Sequence, residues 1–211
     1  PFESMKDALT LQPDAIFHLA AQPLVRLSYV DPIGTYATNV MGTAHVLQAA
    51  RNTKSVEATV VITTDKCYEN REWHWGYRES DPVGGYDPYS SSKACSEIVA
   101  ASFRRAFPQD AACKRLATAR AGNVIGGGDW ADDRLVPDMV RAIQRGEAIF
   151  LRRPTAQRPW QHVLEPLSGY IVLGAALLEG QDRAASAWNF GPMDIEPLMV
   201  RDIARQFVKS W

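Results

Sequence analysis

Two short segments of the chain carry residue types that together perform proton transfer. Thr64, Asp65 and Lys66 follow an apolar, strand-like run and place a hydroxyl, a carboxylate and an ammonium in succession. Further along, Tyr89 stands four residues before Lys93 at a predicted helix start. Residues at i and i+4 lie on one helix face, so the lysine charge favours the phenolate. This pattern predicts a general base for the oxidation of an alcohol.

The spacing of Tyr89 and Lys93 alone also fits an ordinary helical tyrosine and a solvated lysine, so the surrounding segments matter. An apolar strand ending in TTD and a later YSSSK resemble the extended short-chain dehydrogenase/reductase family. Further segments follow in that family's order: HLAAQ, NVMGTAHVLQAA, RAGNVIGGGDW, RPWQHV and WNFGP. The resemblance covers nearly all of the 211 residues. It implies an NAD-binding, Rossmann-like α/β fold with a doubly wound parallel sheet and a smaller α/β substrate-binding region.

The triplet Thr64-Asp65-Lys66 distinguishes branches of this family. Simple sugar epimerases usually lack an acidic residue after the Ser/Thr, and dTDP-glucose 4,6-dehydratases carry Thr-Asp-Glu. With WGYRESDPVGGYDPYSSSK and RPWQHVLEPL, the triplet resembles that of the CDP-glucose 4,6-dehydratases. The resemblance implies dehydration of CDP-glucose to CDP-4-dehydro-6-deoxyglucose. Another sugar-nucleotide dehydratase or a 4-epimerase of the family stays open, as does a non-catalytic fragment that only binds a sugar nucleotide.

The same resemblance implies a role for each residue of the two segments. Tyr89 takes the proton of the C4 hydroxyl, Thr64 hydrogen-bonds that hydroxyl, and Lys93 favours the phenolate. Lys66 stands where the dTDP enzymes use Glu and removes the C5 proton, while Asp65 protonates the departing C6 hydroxyl. A hydride passes to NAD and returns to C6. To act as a base, Lys66 must be neutral, which requires desolvation or a nearby cation.

The cofactor-binding residues are also implied by the resemblance. Ala20 and Ala21 allow NAD to approach the backbone closely, Asn39 fixes the geometry of the site, and Tyr89 and Lys93 contact the nicotinamide ribose. No GxGxxG turn, which binds the pyrophosphate at a helix N-terminus, follows a first strand in this sequence. The chain begins without a methionine and ends within helix-like segments. These features predict an internal fragment of a longer enzyme.

Three further residues are candidates for binding the sugar nucleotide. Arg158 lies in a basic loop, and its planar guanidinium suits a pyrophosphate. Asn123 and Asn189 each end a strand-like run, where ligands meet parallel sheets. Without the resemblance, both asparagines are interpreted as turn residues. His18 and His162 are predicted to be structural.

Strand-like and helix-like segments alternate along the chain, which predicts a parallel sheet. The strand-like runs are Ala15–Ala20, Glu57–Thr63, Arg115–Arg120 and Ala187–Gly191, with shorter ones near Ala148–Leu151 and Trp160–Val163. The helix-like runs are Pro32–Arg51 with Asp31 as N-cap, Pro88–Phe107, Leu135–Gly146, Glu165–Glu179 and a last one from Pro197. Residues 1–123 are predicted as a partial NAD-binding domain without its Gly-rich turn, and residues 124–211 as a partial sugar-nucleotide-binding region.

The composition is that of a soluble globular protein, with 46% hydrophobic and 22% charged residues and a net charge of −1. No basic run interleaved with aromatic residues suggests a nucleic-acid partner. No apolar run reaches the roughly 20 residues that cross a bilayer. Three cysteines without metal-ligand spacing predict a cytoplasmic protein and no metal site. By analogy with the fold, the helices Pro32–Arg51 and Pro88–Phe107 are expected to pair subunits in a homodimer.

Overall fold

A computed structural model of the chain describes residues 9–192 and 198–211. In chain order, the strands are β1 (Ala15–His18), β2 (Ala58–Ile62), β3 (Leu116–Ala121), β4 (Val124–Ile125), β5 (Gln157–Arg158), β6 (Gln161–His162), β7 (Ala187–Phe190) and β8 (Leu198–Met199). The helices are α1 (Val25–Val30), α2 (Pro32–Tyr36), α3 (Gly42–Arg51), α4 (Pro88–Ala106), α5 (Ala111–Lys114), α6 (Leu135–Gln144), α7 (Leu164–Leu178) and α8 (Val200–Ser210). A π-helical turn spans Ala37–Met41, and 3-10 turns span Asp65–Cys67 and Asp182–Ala184.

The central sheet consists of four parallel strands in the order β1-β2-β3-β7. Strand β3 is buried along its whole length, as is β2 except for its last residue. Strand β2 is continuous in small and β-branched residues, as expected where helices cover the two faces of a sheet, whereas β3 also contains the buried Arg120. Leu47 of α3 and Ala100 of α4 pack against Val61 and Leu116 of the sheet. The predicted parallel α/β fold is therefore confirmed.

The predicted helix from Pro32 to Arg51 is formed by α2, the π-helical turn and α3 in succession. Its predicted N-cap is confirmed, because the Asp31 carboxylate accepts a hydrogen bond of 2.8 Å from the Gly34 amide. A side chain at position 34 would collide with that carboxylate. The π-helical turn contains Asn39, and turns of this kind occur often at functional sites.

Of the two short strands predicted after residue 123, the one near Trp160–Val163 is confirmed as β6. The strand expected near Ala148–Leu151 is wrong, because these residues form no regular secondary structure. Ile149 and Leu151 instead line a cavity of about 410 Å³ together with Ala204 and Val208 of α8. Their apolar side chains thus contact a helix rather than extend a sheet. The pairings observed are β4 with β6 and β5 with β8. Pro197, the predicted start of the last helix, lies outside the described residues.

The described residues fall into two compact units. The first unit holds residues 9–121 and 168–190, and the second holds residues 122–167, 191–192 and 198–211. The central sheet therefore belongs entirely to the first unit, as do helices α1 to α5. Throughout residues 9–192 and 198–211, no helix is both long and apolar enough to span a membrane.

Candidate active site

The carboxyl end of strand β2 continues directly into a tight polar turn. Thr64 caps this turn: its Oγ1 accepts a hydrogen bond of 3.4 Å from the Lys66 amide and donates one of 3.1 Å to the Asp65 carboxylate. Thr64 is buried, whereas Asp65 and Lys66 are half-buried. The three residues thus lie at the carboxyl end of a parallel strand, where open α/β sheets bind ligands.

Helix α4 begins at the end of the long loop of residues 68–87, and Tyr89 lies in its first turn. The Asp87 carboxylate caps the helix by accepting a hydrogen bond of 2.9 Å from the Ser90 amide, and Pro88 occupies the first position. The Tyr89 amide donates to the Ser28 hydroxyl at 3.1 Å. One turn later, the buried Lys93 ammonium donates to the carbonyl of Ile62 at 3.1 Å. This contact joins the helix to the last residue of β2.

Burial sets the electrostatics around Lys93. Its removal from water lowers the pKa of Lys93 from 10.5 to about 8, and the neighbouring charge of Glu97 opposes the shift. Burial also lowers the pKa of His18 to about 4, with a further contribution from the charge of Lys93. At neutral pH, Lys93 is therefore still mostly charged and His18 is neutral. His18 Nε2 lies 3.4 Å from the Thr43 hydroxyl, a contact within the buried part of the fold.

Asn39 connects the loop after β1 to helix α4. Its side-chain amide donates to the Ser92 hydroxyl at 2.8 Å and to the Gln22 carbonyl at 3.1 Å, and its Oδ1 accepts from the Gln22 amide at 2.8 Å. Asn39 itself is only 1% exposed. Ala20 is exposed and Ala21 is half-buried in the loop that Asn39 holds. The structure thus brings the predicted cofactor residues of this loop to the helix that carries Lys93.

A buried ion pair beside the site was missed by the sequence interpretation. Arg120 of β3 and Glu97 of α4 are 5% and 4% exposed at their side chains, and Nη2 lies 2.8 Å from Oε2. Glu97 stands four residues after Lys93, on the same helix face. This spacing could have indicated the ion pair from the sequence, because it places Glu97 on the buried face of the helix, and a buried acid requires a buried partner.

Asn189 holds the loop of residues 68–87 through both ends of its side chain. Its Oδ1 accepts a hydrogen bond of 2.6 Å from the Tyr68 hydroxyl, and its Nδ2 donates to the Tyr77 carbonyl at 2.9 Å. The Asn189 amide also donates to the Glu79 carboxylate at 2.8 Å. The contacts seen here serve the loop, and the substrate-binding role of Asn189 stays a prediction.

The other two predicted substrate-binding residues belong to the second unit. Asn123 has a buried Oδ1 without a hydrogen-bond partner among the described residues, while its backbone carbonyl accepts from the Gln161 amide at 3.0 Å. Arg158 is exposed, and its guanidinium donates to the carbonyl of the adjacent Gln157 at 2.8 Å. Arg158 therefore keeps exposed donors for an external group, whereas the Asn123 oxygen is buried from solvent.

Comparison with known proteins decides the family. The sequence pattern of the family described as GDP-mannose 4,6 dehydratase matches residues 3–175. The chain belongs to this family. This membership confirms the predicted resemblance to sugar-nucleotide dehydratases.

Individual members of the GDP-mannose 4,6 dehydratase family give a finer comparison. The chain is 51% identical over 215 residues to a CDP-glucose 4,6-dehydratase of Salmonella typhimurium, which covers all of this chain and 60% of that relative. It is 30% identical over 187 residues to a dTDP-glucose 4,6-dehydratase of Streptomyces antibioticus, which covers 88% of this chain and 52% of the relative.

Solved structures agree with this family. The dTDP-glucose 4,6-dehydratase DesIV of Streptomyces venezuelae, with NAD bound, is 26% identical and superposes with a TM-score of 0.83. The match covers the whole of this chain and 61% of that protein. A UDP-glucose 4-epimerase of Thermotoga maritima shares the fold at 19% identity with a TM-score of 0.77, over 99% of this chain and 64% of that one. The chain therefore spans 52% to 61% of the length of these dehydratase relatives.

Proposed function

We propose that this protein catalyses the NAD-dependent dehydration of CDP-glucose to CDP-4-dehydro-6-deoxyglucose. The observation that carries the proposal is the Lys93–Ile62 contact, which joins the helix of Tyr89 and Lys93 to the strand that ends in Thr64-Asp65-Lys66. Support for the nucleotide comes from the 51% identity to a CDP-glucose 4,6-dehydratase, which extends over the whole chain. A 4,6-dehydration needs a base at the alcohol, a base for the acidified C–H and an acid for the leaving hydroxyl.

Oxidation of the sugar at C4 is assigned to residues of α4 and of the turn. Tyr89 accepts the proton of the C4 hydroxyl, and Thr64 hydrogen-bonds that hydroxyl through its Oγ1. Lys93 holds a positive charge one helical turn from Tyr89, which favours the phenolate. These residues remove the hydroxyl proton while the C4–H bond breaks, and a C4 ketone results.

Elimination of water is assigned to the two half-buried residues of the turn. The C4 ketone acidifies the C5–H bond, and Lys66 takes that proton. Asp65 donates a proton to the C6 hydroxyl, which departs as water when the C6–O bond breaks. The half-buried position of Lys66 gives only part of the desolvation that a neutral lysine requires. Bound substrate would have to exclude the remaining water from this side chain.

The residues present fit the nicotinamide end of NAD. An ammonium has three donors, and the Ile62 carbonyl accepts one from Lys93, so two remain for ribose hydroxyls. Ala20 and Ala21 present small side chains in the loop after β1. When bound, NAD would supply the acceptor for the C4 hydride and the donor of that hydride to C6, while Lys66 would return its proton to C5. The pyrophosphate-binding GxGxxG turn is not found in the 211 residues.

Recognition of the sugar nucleotide is assigned to Asn123, Arg158 and Asn189. The unpartnered Oδ1 of Asn123 accepts a donor of the substrate, which would remove the cost of burying an unsatisfied oxygen. The exposed guanidinium of Arg158 has the planar donor geometry that a pyrophosphate accepts. The Asn189 side chain, held by Tyr68 and Tyr77, completes the proposed set.

The proposal is tested by product mass. A full-length protein that includes the region absent from these 211 residues is incubated with NAD and, in parallel, with CDP-, dTDP- and UDP-glucose. Loss of one water from CDP-glucose alone is the expected result. Loss from another nucleotide would retain the reaction and overturn the specificity. Retained mass with inverted C4 would indicate an epimerase, and unchanged substrate in all three would favour a binding role.

The subunit organisation and location are also proposals. Ile33, Met41 and Ile98 lie on the helices expected to pair subunits, and they are 77%, 50% and 57% exposed. Such apolar exposure supports a homodimer with a second copy of the chain. Light scattering of the full-length protein should give twice the monomer mass. All three cysteines are free thiols, which supports a reducing, cytoplasmic location.

A further inference from the structure

The buried ion pair of Glu97 and Arg120 is connected to both sides of the catalytic turn. On the Glu97 side, Oε1 accepts a hydrogen bond from the Thr63 hydroxyl, and Oε2 accepts one of 2.7 Å from Thr118. Thr63 immediately precedes Thr64, the cap of the turn, so the carboxylate of Glu97 holds the residue just before the turn.

On the Arg120 side, the contacts reach the residues that follow the turn. Nη1 donates to the Tyr68 hydroxyl at 2.8 Å and to the Glu79 carbonyl at 3.1 Å. The guanidinium also lies over the Tyr68 ring, with Cζ 4.9 Å from its centroid. Tyr68 directly follows the turn of Asp65–Cys67. A planar fork of donors allows one arginine to bind Glu97 and Tyr68 together, which a lysine ammonium does not reproduce.

Stability alone does not account for such a pair. Two charges at 5% and 4% exposure are costly to desolvate, and well-packed neutral side chains often stabilise a fold as much or more. What this buried pair adds is a specified geometry, set by the hydrogen bonds of both carboxylate oxygens and of Nη1 and Nη2, while Arg120 Nε has no partner among the described residues. Here the geometry includes the helix that carries Tyr89 and Lys93, because Glu97 lies on the same face of α4, one and two turns further along.

We propose that the Glu97–Arg120 pair positions Asp65 and Lys66 relative to Tyr89 by holding Thr63 and Tyr68, the residues on either side of the turn. Glu97 and Arg120 are positioning residues, since they act through Thr63 and Tyr68 rather than on the substrate. The inference rests on the proposed dehydration for its kinetic consequence, but its structural consequence is independent of any activity.

The test replaces both charges at once in the full-length protein. Glu97→Gln/Arg120→Met retains an amide for the two threonines and fills the space of the arginine, so neither member of the pair is buried without the other; it also removes the Glu97 charge that opposes the pKa shift of Lys93. Backbone hydrogen exchange should become faster in residues 64–79, while exchange in β3 stays as in the wild type. Arg120→Lys is a second variant that keeps the charge and loses the fork, and it should show the same change to a smaller extent.

The kinetic readout separates the two halves of the reaction. A displaced turn slows elimination, for which Asp65 and Lys66 both lie in the turn, more than oxidation, for which Tyr89 acts from the helix and only Thr64 from the turn. In a single turnover, NADH should therefore accumulate in Arg120→Lys, which keeps the Glu97 charge beside Lys93, and the elimination rate should fall about 10- to 100-fold with an unchanged KM. If the wild-type protein removes no water, the proposed function fails, and hydrogen exchange still tests the positioning role.

A matched pair in the same unit provides the control. Arg51 and Asp110 form an ion pair of 2.6 Å, and Arg51 also donates to Gln48 of its own helix. Arg51→Met/Asp110→Asn should leave both the exchange of residues 64–79 and the NADH trace unchanged. The proposal is overturned if Glu97→Gln/Arg120→Met behaves like this control in hydrogen exchange, or if Arg120→Lys, which keeps Glu97, lowers oxidation and elimination equally.

Discussion

The two regions that carry predicted site residues differ in how they are prepared for a ligand. In the turn-and-helix region, residues 63–97, Thr64, Tyr89 and Lys93 are 5%, 7% and 6% exposed and lie within a hydrogen-bonded framework. In the second-unit region, residues 122–162, the Asn123 Oδ1 has no partner among the described residues and Arg158 is exposed. The residues proposed for chemistry are thus held by the protein, as is Asn189 of the recognition set, whereas Arg158 keeps exposed donors. Preorganisation is expected where charge develops in a transition state.

The largest effect should come from removing the base of the turn-and-helix region. Tyr89→Phe deletes one hydroxyl from a buried ring, so the full-length protein should fold and bind substrate as before. Its kcat should fall by about 100- to 10,000-fold, because general base catalysis is lost. Tyr86→Phe, at a side chain that is 81% exposed, is the matched control and should keep full activity. Retained activity of Tyr89→Phe in a steady-state assay would remove Tyr89 from the mechanism.

The second effect separates the stability of this region from its function. The folded pKa of Lys93, about 8, lies below its ordinary value of 10.5, so between these pH values the unfolded chain binds more protons. The free energy of unfolding therefore rises with pH across that window, by roughly 3 kcal/mol from this group. The charged groups that act on Lys93 are Glu97 of its own helix and, when protonated, His18 of β1.

Lys93→Met should remove this dependence. Below pH 8 the variant should be more stable than the wild type by up to roughly 3 kcal/mol, and the difference should shrink as the pH rises to 10.5. Activity should be lost at every pH. Urea unfolding of both proteins across this range is the measurement. Equal pH dependence in the two proteins would show that Lys93 is not a desolvated cation in the fold.

The parts of the fold and site that could be predicted from the sequence are those with local signals. Strand β2 and helix α4 were predictable, because their signals are local: a continuous apolar run, an Asp-Pro start and the spacing of Tyr89 and Lys93. The prediction of a strand near Ala148–Leu151 was wrong, because a short apolar run that lines a cavity beside a helix has the same composition as a short strand. The Glu97–Arg120 pair joins residues 23 positions apart, and no local pattern encodes which arginine meets a buried acid.

A smaller effect should come from the second-unit region, and on binding rather than chemistry. Arg158→Met removes the guanidinium assigned to the pyrophosphate, and a hydrogen bond to a charged group contributes about 1.5–3 kcal/mol. KM for the sugar nucleotide should therefore rise about 10- to 100-fold, while kcat stays near the wild-type value. Arg153→Met, at another exposed arginine of the same loop, is the control and should leave KM unchanged. A fall in kcat without a change in KM would place Arg158 among the groups that act in the transition state.

The smallest effect tests whether preorganisation of the turn-and-helix region begins at the cap of α4. The Asp87 carboxylate accepts hydrogen bonds from both the amide and the hydroxyl of Ser90, at 2.9 and 2.6 Å. Asp87→Ala should lower the free energy of unfolding by about 1 kcal/mol, as loss of an N-cap generally does, whereas Asp87→Asn keeps an acceptor and should cost less. If the cap also orients Tyr89, two residues later, kcat should fall in the order Asp87→Asn, then Asp87→Ala, with KM unchanged. Equal kcat in both variants would assign the orientation of Tyr89 to the contacts of Ser28 and Asn39, which reach the helix at Tyr89 and Ser92.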